Sequence, residues 1–323
     1  MLDTILAPLD GSQLAECVLP HITAIARTFD ANITLLRVLE KNQADASTPM
    51  FDLLNWHIHK TKASIYLESI CKLLQESGLR AQTSMLEGLE AEGISEYAQS
   101  TGAKLIVLSS HGRNGITQWG ISNITQKIIQ ISQTSILVIR ARQNEATLPA
   151  ESETPQYQRI LVPLDGSQRA ENVLPVITQL AHYHNSQIHF VQIVQPPEMA
   201  RQMPPSELDI DLANRVVARN REEAQRYLEQ VRSRSSLDRL AIQTHLITSD
   251  NAAAALHQLA DQEHIELLAL SAHGYSGNLQ WPYGSMVNNF ITYGKVPLLI
   301  IQDLPGRQES GPPNLVPGER AER

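Results

Sequence analysis

The sequence predicts an α/β protein built as two tandem open, doubly wound, five-stranded parallel sheets, and three observations predict it. The chain repeats itself: the sixteen residues from Ile5 read ILAPLDGSQLAECVLP and the sixteen from Ile160 read ILVPLDGSQRAENVLP, identical at thirteen positions. A second pair, LIVLSSHGRNGITQW from Leu105 and LLALSAHGYSGNLQW from Leu267, recurs at nearly the same offset, so each half is one copy of a duplicated unit. Within each copy, short runs rich in Ile, Leu and Val alternate with longer amphipathic stretches, the pattern of successive βαβ units whose strands are buried on both faces.

Taken in order, the first copy gives strands near Thr4–Pro8, Asn32–Val38, Arg80–Leu86, Lys104–Ser109 and Ser135–Ile139. The second gives them near Arg159–Pro163, Gln187–Ile193, Ala241–Ile247, Glu266–Ser271 and Pro297–Ile301. The intervening stretches read as helices. Domains are expected over residues 1–142 and 158–303, joined by a linker at 143–157 and followed by a tail at 304–323. The region between the copies is rich in Glu, Gln, Thr and Pro without apolar periodicity, which predicts an exposed connection.

Bulk properties narrow the function. A chain of 323 residues exceeds one ordinary domain of about 100–200 residues, and 42% hydrophobic with 19% charged residues describes a globular protein. The net charge is −8, divided as −2 over residues 1–150 and −6 beyond, which argues against a nucleic-acid partner that needs clustered Lys and Arg. No apolar run approaches the roughly 18 residues that span a bilayer, and the N-terminus begins in a strand pattern without signal-peptide character, so no membrane association and a cytoplasmic location are expected. Cys17 and Cys71 have no partners at metal-ligand spacing and read as packing residues.

Ligands on doubly wound sheets bind beyond the carboxyl ends of the strands, where neighbouring crossovers leave in opposite directions. The two best-repeated motifs fall there. Pro8-Leu9-Asp10-Gly11-Ser12 ends the first strand and Ser109-Ser110-His111-Gly112 the fourth; Pro163-Leu164-Asp165-Gly166-Ser167 and Ser271-Ala272-His273-Gly274 repeat them. Proline cannot donate to a ladder, so Pro8 and Pro163 mark strand termini. Asp10 and Asp165 either face a ligand as acceptors for sugar hydroxyls or a base edge, or cap the next helix, a task that Ser12 and Ser167 can also perform. In the second copy, nine residues after Gly274, Gly284-Ser285 precedes an apolar helix containing Val287, Phe290 and Ile291. Amides at a helix N-terminus with a serine hydroxyl favour phosphate oxygens.

These residues resemble the universal stress protein family, whose ATP-binding members carry Gly-x-x-Gly, nine residues, then Gly and Ser or Thr at this place. The resemblance spans most of both halves and implies a Rossmann-like, adenine nucleotide alpha hydrolase-like sheet. It implies that Pro163, Asp165 and Ile193 surround an adenosine, while Ser271, His273, Gly274, Gly284, Ser285 and Met286 face ribose and phosphates. The ligand implied is ATP or AMP, with magnesium as the accompanying ion. The corresponding residues of the first copy, Pro8, Asp10, Val38, Ser109, His111, Gly112, Ser122 and Asn123, make a weaker second site, because Ser122-Asn123 stands where Gly-Ser is usual. Ser122 adds a Cβ where the backbone is expected to need a glycine conformation, so the second copy is expected to hold the nucleotide. That copy has its own departure: Tyr275 replaces the basic residue common after His-Gly, and Lys295 is its sole lysine. Family members commonly pair, which implies an intrachain pseudo-dimer with the final strands, Ser135–Arg140 and Val296–Gln302, as candidate edges; whole chains can pair as a homodimer.

Other features are assigned no chemistry. His57 and His59, like His182 and His184, lack a completing ligand and read as solvated residues rather than a metal site. Trp119 and Trp281 recur in the phosphate-side loop, where covering a ligand and packing fit equally well. The leading function is a non-enzymatic, adenine-nucleotide-binding stress-response or regulatory protein, since neither half carries a Walker lysine motif. The alternatives are a slow ATPase or adenylyl-transfer enzyme, although the Ser-Gly-Gly-x-Asp-Ser loop of the latter is missing, and a nucleotide-free interaction scaffold.

Overall fold

The β-branched and leucine-rich runs become strands as expected. In the first half these are β1 (Thr4–Pro8), β2 (Asn32–Leu39), β3 (Arg80–Glu87), β4 (Leu105–Ser109) and β5 (Ser135–Ile139); in the second they are β6 (Arg159–Pro163), β7 (Gln187–Val194), β8 (Ala241–Thr248), β9 (Leu267–Ser271) and β10 (Leu298–Ile301). The computed structural model describes residues 1–40, 49–112, 121–141, 154–197, 206–274 and 283–303. The helices are α1 (Gln13–Glu16), α2 (Leu19–Phe29), α3 (Pro49–Glu76), α4 (Glu90–Thr101) and α5 (Asn123–Ile131), then α6 (Leu174–His184), α7 (Glu207–Arg232), α8 (Ala252–Gln262) and α9 (Ser285–Tyr293). Local chemistry sets their ends. Proline occupies the first turn of α2 and α6, and both stop at a left-handed residue, Asp30 and Asn185. A reciprocal Ser206–Asp209 capping box starts α7.

The strand order is β3-β2-β1-β4-β5-β10-β9-β6-β7-β8. Each half is parallel in the order 3-2-1-4-5, so the crossover direction reverses between β1 and β4 and again between β6 and β9. At each reversal only two residue pairs are in register, Ile5 with Leu105 and Leu6 with Ile106, then Ile160 with Leu267 and Leu161 with Leu268. The strands therefore part before their carboxyl ends, and a crevice opens there.

Instead of two separate sheets, the halves form one continuous sheet of ten strands. The candidate edges meet: β5 and β10 pair antiparallel, with Leu298 opposite Val138, Leu299 opposite Leu137 and Ile300 opposite Ile136. All six residues are buried, and each edge satisfies backbone groups that the other would leave without partners. Just past β5, the buried guanidinium of Arg140 donates to the carbonyl of Ile291 at 2.9 Å and to that of Phe290. It thus caps the carboxyl end of α9 from the opposite half, where a cation is favoured. Burial lowers its pKa to about 10, which leaves it charged at neutral pH.

A second seam joins α2 to α6. Gln179 donates to the Thr28 carbonyl at 3.0 Å, and Tyr157 inserts its ring between His21 and His184, with its hydroxyl 2.7 Å from His21 Nδ1. Tyr157 is 1% exposed, so this end of the connection is a buried plug rather than an exposed linker, and His184 is half-buried rather than solvated. Burial lowers the His21 imidazole to about 4 and holds His184 below its ordinary value. Both rings are neutral in the fold and gain protons on unfolding below about pH 6.5. Stability is therefore full above that pH and declines as pH falls toward 4. The thermal midpoint is expected to drop over this window, and His21→Gln, which removes one titrating group while keeping a hydrogen-bonding side chain, should flatten the decline.

Candidate functional site

Each switch-point crevice is framed by the two repeated motifs. Positive φ at Gly11 (78°) and Gly166 (84°), natural to glycine, turns the chain back over the strand end. Within this turn Asp10 Oδ1 accepts from Ser12 N at 2.9 Å and from Ser12 Oγ at 2.6 Å, and Asp165 does the same with Ser167 at 3.0 and 2.7 Å. The serine hydroxyls in turn accept from Ala15 N and Ala170 N, each at 3.2 Å, so the serines cap and the aspartates hold the turn. The second carboxylate oxygen of each aspartate packs against the glycine of the opposite motif. A Cβ on Gly112 would lie 2.2 Å from Asp10 Oδ2, and one on Gly274 would lie 2.2 Å from Asp165 Oδ2. That close approach requires glycine at both places.

The halves then diverge. In the first, a cavity of about 1180 Å³ extends from the crevice, and Pro8, Asp10, Val38, Ser109, His111, Gly112 and Ser122 line it; Asn123 does not. Arg37, buried beside Val38, donates to the Leu9 carbonyl at 3.0 Å and so braces the turn. Lys62 and His59 of α3 add basic groups, while Glu40 and Glu90 supply carboxylates on the lip. Tyr66 reaches in beneath them. Burial, with Glu16 and Asp10 nearby, raises its phenol above the ordinary range, so it remains a protonated donor. In the second half the corresponding pocket measures about 390 Å³, and of the sequence-predicted residues only Asp165 and Ile193 line it. Pairing Tyr66 with Tyr227, Lys62 gives way to Glu223 and His59 to Asn220, so this pocket has lost its basic groups.

The phosphate loops also differ from expectation. Gly284 has φ −70° and ψ 168°, and Ser122 has φ −72° and ψ 155°, so the two adopt the same extended conformation. A Cβ at Gly284 would touch only the Ala272 carbonyl, at an ordinary 3.6 Å. Ser122 is thus unstrained, and its Oγ caps α5 by accepting from Thr125 N at 3.1 Å. Ser109 Oγ lies within hydrogen-bonding reach of the carbonyls of Leu14 and His111, at 2.9 and 2.6 Å, and shares its one proton between them. Its counterpart Ser271 is 8% exposed and its Oγ has no hydrogen-bond partner among the described residues. The His273 ring is buried, with Nδ1 2.7 Å from the buried Asp303 carboxylate. His111 is also buried, with Nδ1 3.1 Å from Ser110 Oγ, and contributes to the cavity wall. Ser285 is exposed at the start of α9 and Met286 packs against the core. Trp119, Trp281 and Tyr275 lie outside the described residues.

A sequence model described as the universal stress protein family matches residues 1–140 and 156–302. The chain belongs to the universal stress protein family. A universal stress protein of Methanocaldococcus jannaschii is 27% identical over 146 residues, covering 44% of this chain and 84% of the relative. One of Synechocystis is 24% identical over 148 residues, covering 42% and 96%. The two-copy arrangement also occurs in solved structures. That of a universal stress protein from Archaeoglobus fulgidus covers 94% of this chain and 99% of its own at a TM-score of 0.63 and 13% identity, a likeness of fold. Among the described residues of this universal stress protein no helix is long and apolar enough to cross a membrane, and no group of three metal-ligating side chains is poised to hold an ion.

Sequence reasoning missed the α3 wall of the first cavity. Asn55, Trp56, His59, Lys62, Ala63 and Tyr66 recur at helical spacing on one face. The signal was present in that spacing, but a mixed polar and aromatic stripe does not reveal what it faces until α3 is docked. Both cysteines serve packing as expected: Cys71 is buried in the core, and the half-buried Cys17 packs against the same cluster with Sγ 3.4 Å from Ser109 Oγ.

Proposed function

We propose that the chain is a non-enzymatic stress-response or regulatory protein of the cytoplasm that binds an adenine nucleotide, ATP with magnesium or AMP, and that the first half is its receptive site. The cavity carries this reading. It lies where doubly wound sheets bind ligands, it is lined by seven of the eight residues assigned to that half by resemblance, and its size suits a nucleotide. Val38 and Pro8 offer apolar walls to a base, and Tyr66 offers a donor. The amino end of α5, together with Lys62, supplies the positive potential that phosphates need, and His59 adds a ring nitrogen that can hydrogen-bond beside them. Transfer of the working site from the second half to the first is supported by Ser122, whose backbone matches that of Gly284.

A second reading, nucleotide in the second half, rests on the Gly284-Ser285 motif and on the buried Ser271 hydroxyl, which a ligand oxygen could satisfy. Denaturing freshly purified protein and chromatographing the supernatant is expected to release ATP or AMP. Added nucleotide at about 100 times its Kd should stabilise the fold by about 2.7 kcal/mol. A blank supernatant and an unmoved thermal midpoint with either nucleotide would leave the interaction-scaffold alternative in possession.

A further inference from the structure

The first half of α7 stands clear of the fold. The helix buries Ala224, Leu228 and Val231, all from its second half, and no residue from Glu207 to Glu223 is buried. Arg221 is already level with the end of β8, where its guanidinium donates to Thr248 Oγ1 at 2.6 Å. The turns before it therefore form an arm about 20 Å long beyond the strand ends, at 1.5 Å per residue. Along this arm Leu208 and Leu212 are 81% and 54% exposed, and half-buried Val216 continues their row at the next turn. A row of large apolar side chains left in water marks an interaction surface. Beside it, at the same four-residue spacing, lie Glu207, Asp211, Arg215 and Arg219, two acids followed by two bases. Arg215 pairs with Asp211 and Arg219 with Glu223, but these bonds run along the helix itself, and the arginine side chains stay 77% and 80% exposed. Each guanidinium, with several N–H donors, therefore keeps some for a facing carboxylate.

We propose that this arm is where two copies of the chain pair, α7 against α7 in antiparallel sense about a two-fold axis near Leu212. Leu208 of each copy then packs on Val216 of the other, and Leu212 packs on Leu212, an isologous contact. Reversing the charged row exchanges its signs, so Glu207 meets Arg219 and Asp211 meets Arg215 across the axis. A parallel pairing in register would set acid beside acid, and the acidic first turns oppose an anionic lipid surface, so the charge pattern selects a second, antiparallel copy. The arm belongs to the second half and lines no part of the first cavity, so pairing there is independent of a nucleotide in the first half.

Sedimentation velocity of the full chain over a concentration series tests this. A reversible dimer is expected at about 100 μM and a monomer after roughly hundredfold dilution, as suits a small interface. Leu208→Glu combined with Leu212→Glu should give a monomer throughout, with the thermal midpoint unchanged because both leucines face water. Arg215→Asp should weaken pairing about tenfold, and Asp211→Arg combined with Arg215→Asp, which inverts the pattern and keeps an ion pair along the helix, should recover it. Leu212→Cys, at the axis, should cross-link two copies under mild oxidation, whereas Leu208→Cys should not. A monomer at every concentration overturns the proposal, as does a dimer untouched by the paired glutamates. A dimer that is indifferent to Arg215→Asp, that the double inversion fails to recover, or that cross-links as readily through Leu208→Cys overturns the antiparallel register.

Discussion

Gly112→Ala is expected to strip the protein of adenine nucleotide, while Gly274→Ala leaves it bound. Both substitutions place a methyl 2.2 Å from an aspartate oxygen. Neither aspartate can yield easily, because its other oxygen is pinned by the amide and hydroxyl of Ser12 or Ser167. The turn and the opposing loop must therefore move apart. Overpacking of this kind costs about 1–3 kcal/mol, which at a binding crevice translates into roughly 5- to 150-fold weaker affinity. The two variants are matched in strain and differ only in the half they damage, so the nucleotide content of each after purification assigns the site. Loss confined to Gly274→Ala would return the working site to the second half and to its better-kept motif.

Arg140→Ala should lower stability by about 2–4 kcal/mol, read from the urea midpoint of the full chain. The guanidinium is buried and supplies donors to the last carbonyls of α9, so its removal strips hydrogen bonds from a dry seam, although the Phe290 carbonyl keeps the Gly294 amide. Arg140→Met retains most of the side-chain bulk and separates the two contributions. If Met restores stability, packing holds the seam; continued weakness assigns the effect to the lost hydrogen bonds.

The strands were legible because their signal is local: runs such as Leu105–Ser109 and Ile136–Ile139 are apolar enough to be buried on both faces whatever their neighbours. The strand-end placement of PLDGS and of the two His-Gly motifs followed from the same pattern. The difference between the two pockets did not. It depends on α3, whose Lys62 and Trp56 lie far in sequence from the loops they join, and on Asp303, which draws His273 inward; no spacing records either contact. The glycine argument at position 284 failed for a related reason. A motif letter states which residue is usual, whereas the backbone there is extended and open to serine as well. Tyr157 was unreadable because a single aromatic in a polar connection gives no periodicity to follow.

The antiparallel seam between β5 and β10 has a geometric consequence. Parallel strands within each half point their carboxyl ends the same way, and the seam reverses that direction from one half to the other. The two mouths consequently open on opposite rims of the molecule, like doors at either end of a corridor. The two crevices are therefore separated by the full ten-stranded sheet and coupled to one another through that sheet and through the seam between α2 and α6.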